Sequence, residues 1–354
     1  MEREAVAMTA ERALVMEERR KRHPRLRPCL MSCFFALSLE LVLTPLAWST
    51  EFAVTPVDGP SASATELHGI NHTGQLVGTF RDAKGIHGLV CTPPVDALCA
   101  PHFLTPLDLW FNGFKAVSTH AQGITTAGRM AGFFLDVKGE SHGFLCAGFP
   151  TNLECHQVDV TIDHVLMADT LILGIQEQGQ FVGSYRDAQS RIHGYLSTEG
   201  SFTRIDVPGA LATVVAGVAT TNGKSTATIV GFFLDAKFSM HGFLCILPAS
   251  QNCFTLFDVT LNGVPQAMTQ ATGINQQQIV GSFRDPGGNA HGFLCVLPVT
   301  SECFTQLDAR NGAHTEILGL NDRGQSVGHF RDTTGLQHGF TAMAPGAWSV
   351  GRLP

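Results

Sequence analysis

The chain has 354 residues, 44% of them apolar and only 15% charged, with 37 glycines. That length can bury a large core, and the glycine punctuation favours an all-β protein over a helical one. Net charge is −7, and setting aside the first 50 residues, with eight Lys/Arg and six Asp/Glu, leaves 15 against 24, or −9. Phosphate binding needs a basic surface, so an acidic body excludes nucleic acid as a partner.

Residues 1–50 differ in kind from the rest of the chain. RRKRHPRLR at 19–27 precedes the apolar run CLMSCFFALSLELVLTPLAWST, with small residues at Ala47 and Ser49. A basic segment, an apolar run and small residues at alternate positions predict a secretory signal cleaved near Ser49. Met16 would start a leader of more ordinary length. The alternative is an uncleaved membrane anchor, against which Glu40 interrupts the run; a charge at mid-bilayer costs roughly 2.5–3.5 kcal/mol. A membrane is therefore expected as a partner only if the leader stays attached.

Beyond residue 50 a His-Gly pair recurs at His87, His142, His193, His241, His291 and His338. The intervals lie near fifty residues, which marks a repeat architecture. GINHTGQLVGTFRDAKGIHGLV of the first unit overlays GITTAGRMAGFFLDVKGESHGFL of the second and GINQQQIVGSFRDPGGNAHGFL of the fifth. In the fifth unit QATGIN, QIVGSFRD, HGFLCVL and CFTQLD read as four short strands between turn-like pieces, with no run of helical length and period. Four-stranded units repeated six times predict a six-bladed β-propeller of antiparallel blades over 51–354. A linear β-solenoid is the alternative, because sequence does not show whether the ring closes. FAVTPVDGP at 52–60 resembles a fourth strand lying ahead of the first complete unit, so it is a candidate to close the last blade, in competition with the tail GAWSVGRLP.

Cysteines recur at one place in four units: Cys91 with Cys99, Cys146 with Cys155, Cys245 with Cys253, and Cys295 with Cys303. A hairpin from third to fourth strand sets such positions opposite each other, at a separation that suits a disulfide. All eight cysteines of the body are consumed, which implies an oxidising compartment and a secreted or periplasmic protein. Zinc is the competing reading, but the pairs fall on separate units and the spacing is not a zinc spacing.

Each unit also carries an aspartate five or six residues before its histidine: Asp82, Asp136, Asp187, Asp235, Asp285 and Asp332. The pair brackets the turn between second and third strands, where an aspartate accepts from turn amides or from the imidazole. A catalytic centre is assembled once, whereas these pairs occur six times, so they read as scaffold. Calcium at these turns is disfavoured, since each offers one carboxylate in this reading. TNGKST at 221–226 imitates part of a phosphate loop, but Gly217 is one residue too distant and a strand comes next where a helix is needed. No HExxH, G-x-S-x-G or EF-hand pattern occurs, and no catalytic residue, metal or cofactor is expected.

Function is sought in what breaks the repeat. Arg81, Arg186, Arg284 and Arg331 precede the repeated aspartates and border the face that carries the links between blades, while units two and four have Leu135 and Leu234 there. The link LDLWFNGFKAVSTHAQ at 107–122 supplies Trp110, Phe111 and Phe114, residue types that grip sugars or peptides. VTIDHVLMAD at 160–169 groups Asp163, His164 and Asp169 in what reads as a surface loop.

GINQQQIVGSFRD with HGFL, and IDVPGALATVVAGV in unit three, carry a resemblance to the HAF-type repeat of bacterial, mostly extracellular proteins. The resemblance covers about residues 52–340 and implies a secreted repeat protein without an assigned activity; the cysteine hairpins depart from it. The expectation is a secreted module binding an unknown extracellular ligand or protein, such as a glycan or peptide. The alternatives are a hydrolase or lyase using an axial pocket, and a structural envelope protein.

Overall fold

The computed structural model describes residues 53–93, 104–111, 113–220, 227–247, 253–309 and 314–343. Every regular element among them is a strand. The expected leader at 1–50, the phosphate-loop imitation at 221–226 and the tail at 346–354 lie outside the described residues. None of the described residues forms a helix long and apolar enough to cross a membrane.

Among the described residues, strand pairing gives three separate four-stranded antiparallel sheets and one twelve-stranded assembly, in which three further antiparallel groups of four are joined by single parallel bridges, Ile86 to Ser118 and Ala64 to Gln337. In the fifth unit, Ala267–Ile274 pairs Gln278–Arg284, which pairs Ala290–Val296, which pairs Phe304–Leu307. Apolar and β-branched residues alternate along these runs and Gly, Asp and Asn sit at the turns, so the backbone reverses every seven or eight residues. The first strands of the sheets, Ala64–Ile70, Ser118–Ile124, Ala168–Ile175, Ala212–Thr220, Ala267–Ile274 and His314–Leu320, meet in one closed cycle. A Cβ on Gly69 would fall 2.8 Å from the carbonyl of Gln122, one on Gly123 2.8 Å from Ile175, and one on Gly174 2.7 Å from the carbonyl of Ala216. Gly217 abuts Gly273, Gly273 abuts Gly319, and Gly319 abuts the backbone of His68. Only a residue without a side chain lets six strands converge so closely around an axis. The cycle excludes the linear solenoid.

The ring is closed by the N-terminal strand. Val54–Val57 adds antiparallel to Gln337–Met343, with Val54 opposite Ala342 and Val57 opposite Gly339. The sixth sheet thus takes its fourth strand from the start of the chain, as FAVTPVDGP suggested. Val57, Leu67, Leu89, Phe80 and Val327 then form one buried cluster spanning the last and first sheets. Equivalent clusters separate the other sheets. Full burial of a Leu or Phe contributes about 1.5–3 kcal/mol relative to exposure, so these inter-sheet layers dominate the stability.

Three disulfides link third strands to fourth: Cys146–Cys155, Cys245–Cys253 and Cys295–Cys303. Cys146 and Cys155 are direct partners in the ladder. Cys91 is also disulfide-bonded, and its expected partner Cys99 lies outside the described residues.

Two of the links differ from expectation. The segments read as a plain connector at 107–122 and a surface loop at 160–169 contain small hairpins: Trp110–Phe111 with Phe114–Lys115, and Thr161–Ile162 with Val165–Leu166. A third hairpin joins Thr260–Leu261 to Val264–Pro265. Two-residue hairpin turns need left-handed backbone, which is supplied by Asp163 and His164 in one case and Asn262 with Gly263 in another. Asn-Gly at 112–113 and 262–263 was the legible signal for two of them.

Candidate functional site

The repeated histidine lies within 3.5 Å of the turn aspartate in five units and 3.8 Å from it in unit two, and in all six it is also held by a second aspartate that the sequence reading missed. In unit three, His193 Nε2 lies 3.0 Å from Asp187 and its Nδ1 3.0 Å from Asp206 at the end of the fourth strand. The same clasp joins His87 to Asp108, His142 to Asp159, His241 to Asp258 and His291 to Asp308. The sixth, His338 to Asp58 at 2.8 Å, spans 280 residues and locks the ring closure. Each imidazole also lies against a ring of the second strand, Phe80, Phe134, Tyr185, Phe233, Phe283 or Phe330.

Two carboxylates favour the protonated ring of His291 and of His338. The hydrogen bond to Asp308 raises the pKa of His291, and at His338 the carboxylates of Asp58 and Asp332 outweigh the opposing effect of burial. Hydrogen bonds from Asn289 and His291 hold Asp285 at about 2. The clasp ties second, third and fourth strands together on one face. Its sixfold repetition makes it scaffold.

The aromatic link sits on that face. Phe111 stacks on Phe134 with centroids 4.2 Å apart, so it anchors the hairpin. Trp110 and Phe114 project from it with 65% and 66% of their surface exposed. Lys115 of the same hairpin pairs with Asp108 at 2.8 Å. Val117 and Val137 are exposed nearby in sequence, and Val165 and Leu166 are exposed on the next hairpin. The three expected aromatics therefore separate into one anchor and two exposed rings.

The four arginines stand at or next to the ends of the second strands of four units. Arg186 donates to Asp169 at 2.9 Å and to the Ser190 carbonyl, while Arg284 donates to the Gly288 carbonyl at 3.1 Å. Arg331 lies opposite His314 in its ladder and Arg81 opposite Ala64, both exposed at the strand ends. Of the acidic group at 163–169, Asp163 and His164 form the hairpin turn, and Asp169 is the partner of Arg186.

A second feature was not foreseen. A buried threonine in five of the first strands, Thr65, Thr170, Thr213, Thr269 and Thr315, accepts from the backbone N–H of the preceding link, and Thr119 stands at the same place in unit two. The next residue is Glu66, His120 and Glu316 in units one, two and six, but Leu171 and Val214 in units three and four. Two residues further on stand His68 in unit one and Leu173 in unit three. Glu66 lies within electrostatic range of His329, His68 and His120, so side chains of three sheets converge there. His68 Nε2 and His329 Nδ1 have no hydrogen-bond partner. Burial pushes the pKa of both His68 and His120 down to about 4, so both rings are neutral at pH 7. Burial works against the ionised Glu66, but the neighbouring imidazoles and the amide of Gln337 hold its pKa below the usual value. Toward the opposite face the axis opens in a well of about 160 Å³ floored by Ile70, Ile124, Ile175, Val218, Ile274 and Leu320. Asn275, Asn321 and Asn71 lace its rim, each donating to a carbonyl of the next unit. A larger groove of about 870 Å³ between the second and third sheets is lined by Arg129, His156, Asp159, Gln180 and Phe202, among others.

Sheets arranged in a closed ring around an axis define a β-propeller. No protein-family model and no curated protein sequence matches the chain. Among solved structures it is similar to AofleA from Arthrobotrys oligospora, with a TM-score of 0.52 and 10% identity over 82% of this chain and 86% of that one. The β-propeller domain of the Trilobed protease from Pyrococcus furiosus gives 0.41 and 10% over 82% and 99%. The BP39L lectin from Burkholderia pseudomallei gives 0.40 and 13% over 77% and 81%. At these identities the likeness is one of fold alone.

Proposed function

We propose that this chain is a secreted or periplasmic binding module of the HAF-repeat type, which takes a glycan or peptide on the face carrying the link hairpins. The supporting observation is the pair of rings Trp110 and Phe114, exposed on a hairpin whose third aromatic, Phe111, is anchored on Phe134. A rigidly mounted aromatic pair buries large area on contact and loses little side-chain entropy, which is why such residues dominate binding hot spots. The disulfides support an oxidising compartment.

Glycan-array and peptide-library binding by the purified mature chain tests this reading. A hit weakened about 30-fold by Trp110→Ala with Phe114→Ala, the size of a hot-spot loss, is the expected result. Flat results on both libraries, or a hit indifferent to both substitutions, overturn it. The ionised Glu66 beside neutral His68 gives the hydrolase or lyase reading a specific basis. Turnover abolished by Glu66→Gln and untouched by the aromatic substitutions would decide for it. Concentration-dependent self-association lost in the same aromatic variant would decide for an envelope role.

A further inference from the structure

Unit two departs from its five sisters at one clasp. Its turn carries a second carboxylate, Glu140, where units three to six have Arg191, Ser239, Asn289 and Leu336; the turn of unit one is a residue shorter. Acceptor atoms of Asp136, Glu140 and His142 all lie within 4.8 Å of one another, the one such group among the described residues. The count of a single carboxylate per turn thus fails at this turn.

The clasp itself is opened there. His142 Nε2 stands 3.8 Å from Asp136 Oδ2, against 3.1, 3.0, 3.5, 3.3 and 3.4 Å at the five equivalent pairs. The other ring nitrogen is held as elsewhere, with Nδ1 2.9 Å from Asp159 Oδ1. With Nδ1 engaged by Asp159 at 2.9 Å and the Gln157 amide at 3.0 Å, Nε2 is the ring nitrogen left facing the turn carboxylates. A carboxylate that orients an imidazole through its far nitrogen is the usual outer support of a metal-bound histidine. Asp136 is pre-set as well, because its Oδ1 accepts from the amides of Lys138 and Glu140 at 2.8 and 2.9 Å, leaving Oδ2 for an ion.

We propose that Asp136, Glu140 and His142 form a binding site for one divalent transition ion of the zinc or manganese class. Two carboxylate oxygens and one imidazole nitrogen suit such ions better than calcium, which prefers six to eight oxygens. Metal–ligand distances near 2.1 Å require the three atoms to draw to roughly 3.0–3.4 Å apart. The exposed Glu140 side chain can make that adjustment. Three protein ligands leave coordination positions open toward solvent. The site adjoins the aromatic hairpin through the stacked series Phe111, Phe134, His142, with centroid spacings of 4.2 and 5.4 Å. A hydroxyl or carboxylate of a ligand resting on Trp110 and Phe114 is the natural occupant of an open position. That last step rests on the proposed glycan or peptide binding; the metal site does not.

Titration of the metal-free mature chain with Zn2+ and with Mn2+, and no other ligand, tests the site. One ion per chain is expected, with affinity falling at least 10-fold in Glu140→Gln, an exposed and isosteric change that leaves the clasp intact. The His142 Nε2 resonance should move on Zn2+ addition. No binding below millimolar metal, binding unaffected by Glu140→Gln, or perturbation of other histidines in place of His142 overturns the proposal. If the metal binds as expected while glycan and peptide libraries stay flat, the failure lies with the ligand reading alone.

Discussion

The same residue type is used in opposite ways at the clasp face and at the axis. Along the clasp face, His291 lies between two carboxylates and over an aromatic ring, so each nitrogen meets a partner and the charged ring is favoured. At the axis, His68 is crowded by protein with its Nε2 unpartnered and His120 meets the uncharged Ser118 hydroxyl at 3.1 Å, so burial favours the neutral ring of both. The clasps recur in all six units, whereas the ionisable axial groups occupy units one, two and six and give way to Leu171, Val214 and Gln270 in units three, four and five. A polar group that every unit keeps with its partners serves the fold, and one that some units replace with leucine does not.

The largest test of this contrast removes a clasp. His193→Ala removes two hydrogen bonds to charged groups, those to Asp187 and Asp206, and leaves these carboxylates to Arg191 and Arg204 alone among side chains. Denaturant unfolding should register a loss of about 2–3 kcal/mol. A loss under half of that would mean that the clasp is not what ties the three strands together.

A smaller effect separates the two regions by pH. The folded pKa of His291 and His338 is raised, so their contribution is complete below the unfolded value near 6.5 and fades as pH rises through the folded value. Asp285 and Asp332, each at about 2, contribute above roughly 3.9 and fail only as pH falls toward 2. His68 and His120, at about 4, act in the opposite sense to the clasp histidines. Their neutral forms are matched to the fold above 6.5, and stability is lost as pH falls from there toward 4. Melting temperature measured from pH 4 to 8 should therefore show a shallower alkaline decline in His291→Asn, where His338 remains, and a shallower acid decline in His68→Leu, where His120 remains. Both variants changing the same limb would collapse the distinction.

The smallest effect is expected at the axis. Glu66→Leu with His68→Leu reproduces the pattern Leu171 and Leu173 of unit three. Replacing buried polar groups by apolar ones of similar volume is often neutral or stabilising. The unfolding free energy should stay within about 1 kcal/mol of the parent or rise. A marked loss would show that Glu66 and His68 hold the ring together, contrary to the comparison.

Much of this was legible locally. The repeat, the four strands of each unit, the disulfide hairpins and the Asp turns all depend on residues within about twenty positions of each other, where spacing determines which groups meet. Trp110 and Phe114 were identifiable as candidates because they interrupt the repeat, but their exposure beside a buried Phe111 depended on how the hairpin packs on Phe134. The second aspartate of each clasp escaped notice because its distance from the histidine varies, from 13 residues at Asp206 to 21 at Asp108. In the sixth clasp it lies at the other end of the described chain.

What the amino-acid order determined by itself was a secondary-structure rhythm and its sulfur bridges, since alternation, turn chemistry and hairpin geometry act over short spans. Only the tertiary structure decided that the rhythm closes into a ring, that Asp58 meets His338, and that Glu66, His68, His120 and His329 share one axial space. Those contacts join units far apart along the chain, and sequence spacing carries no record of how many times the sheets turn before they meet.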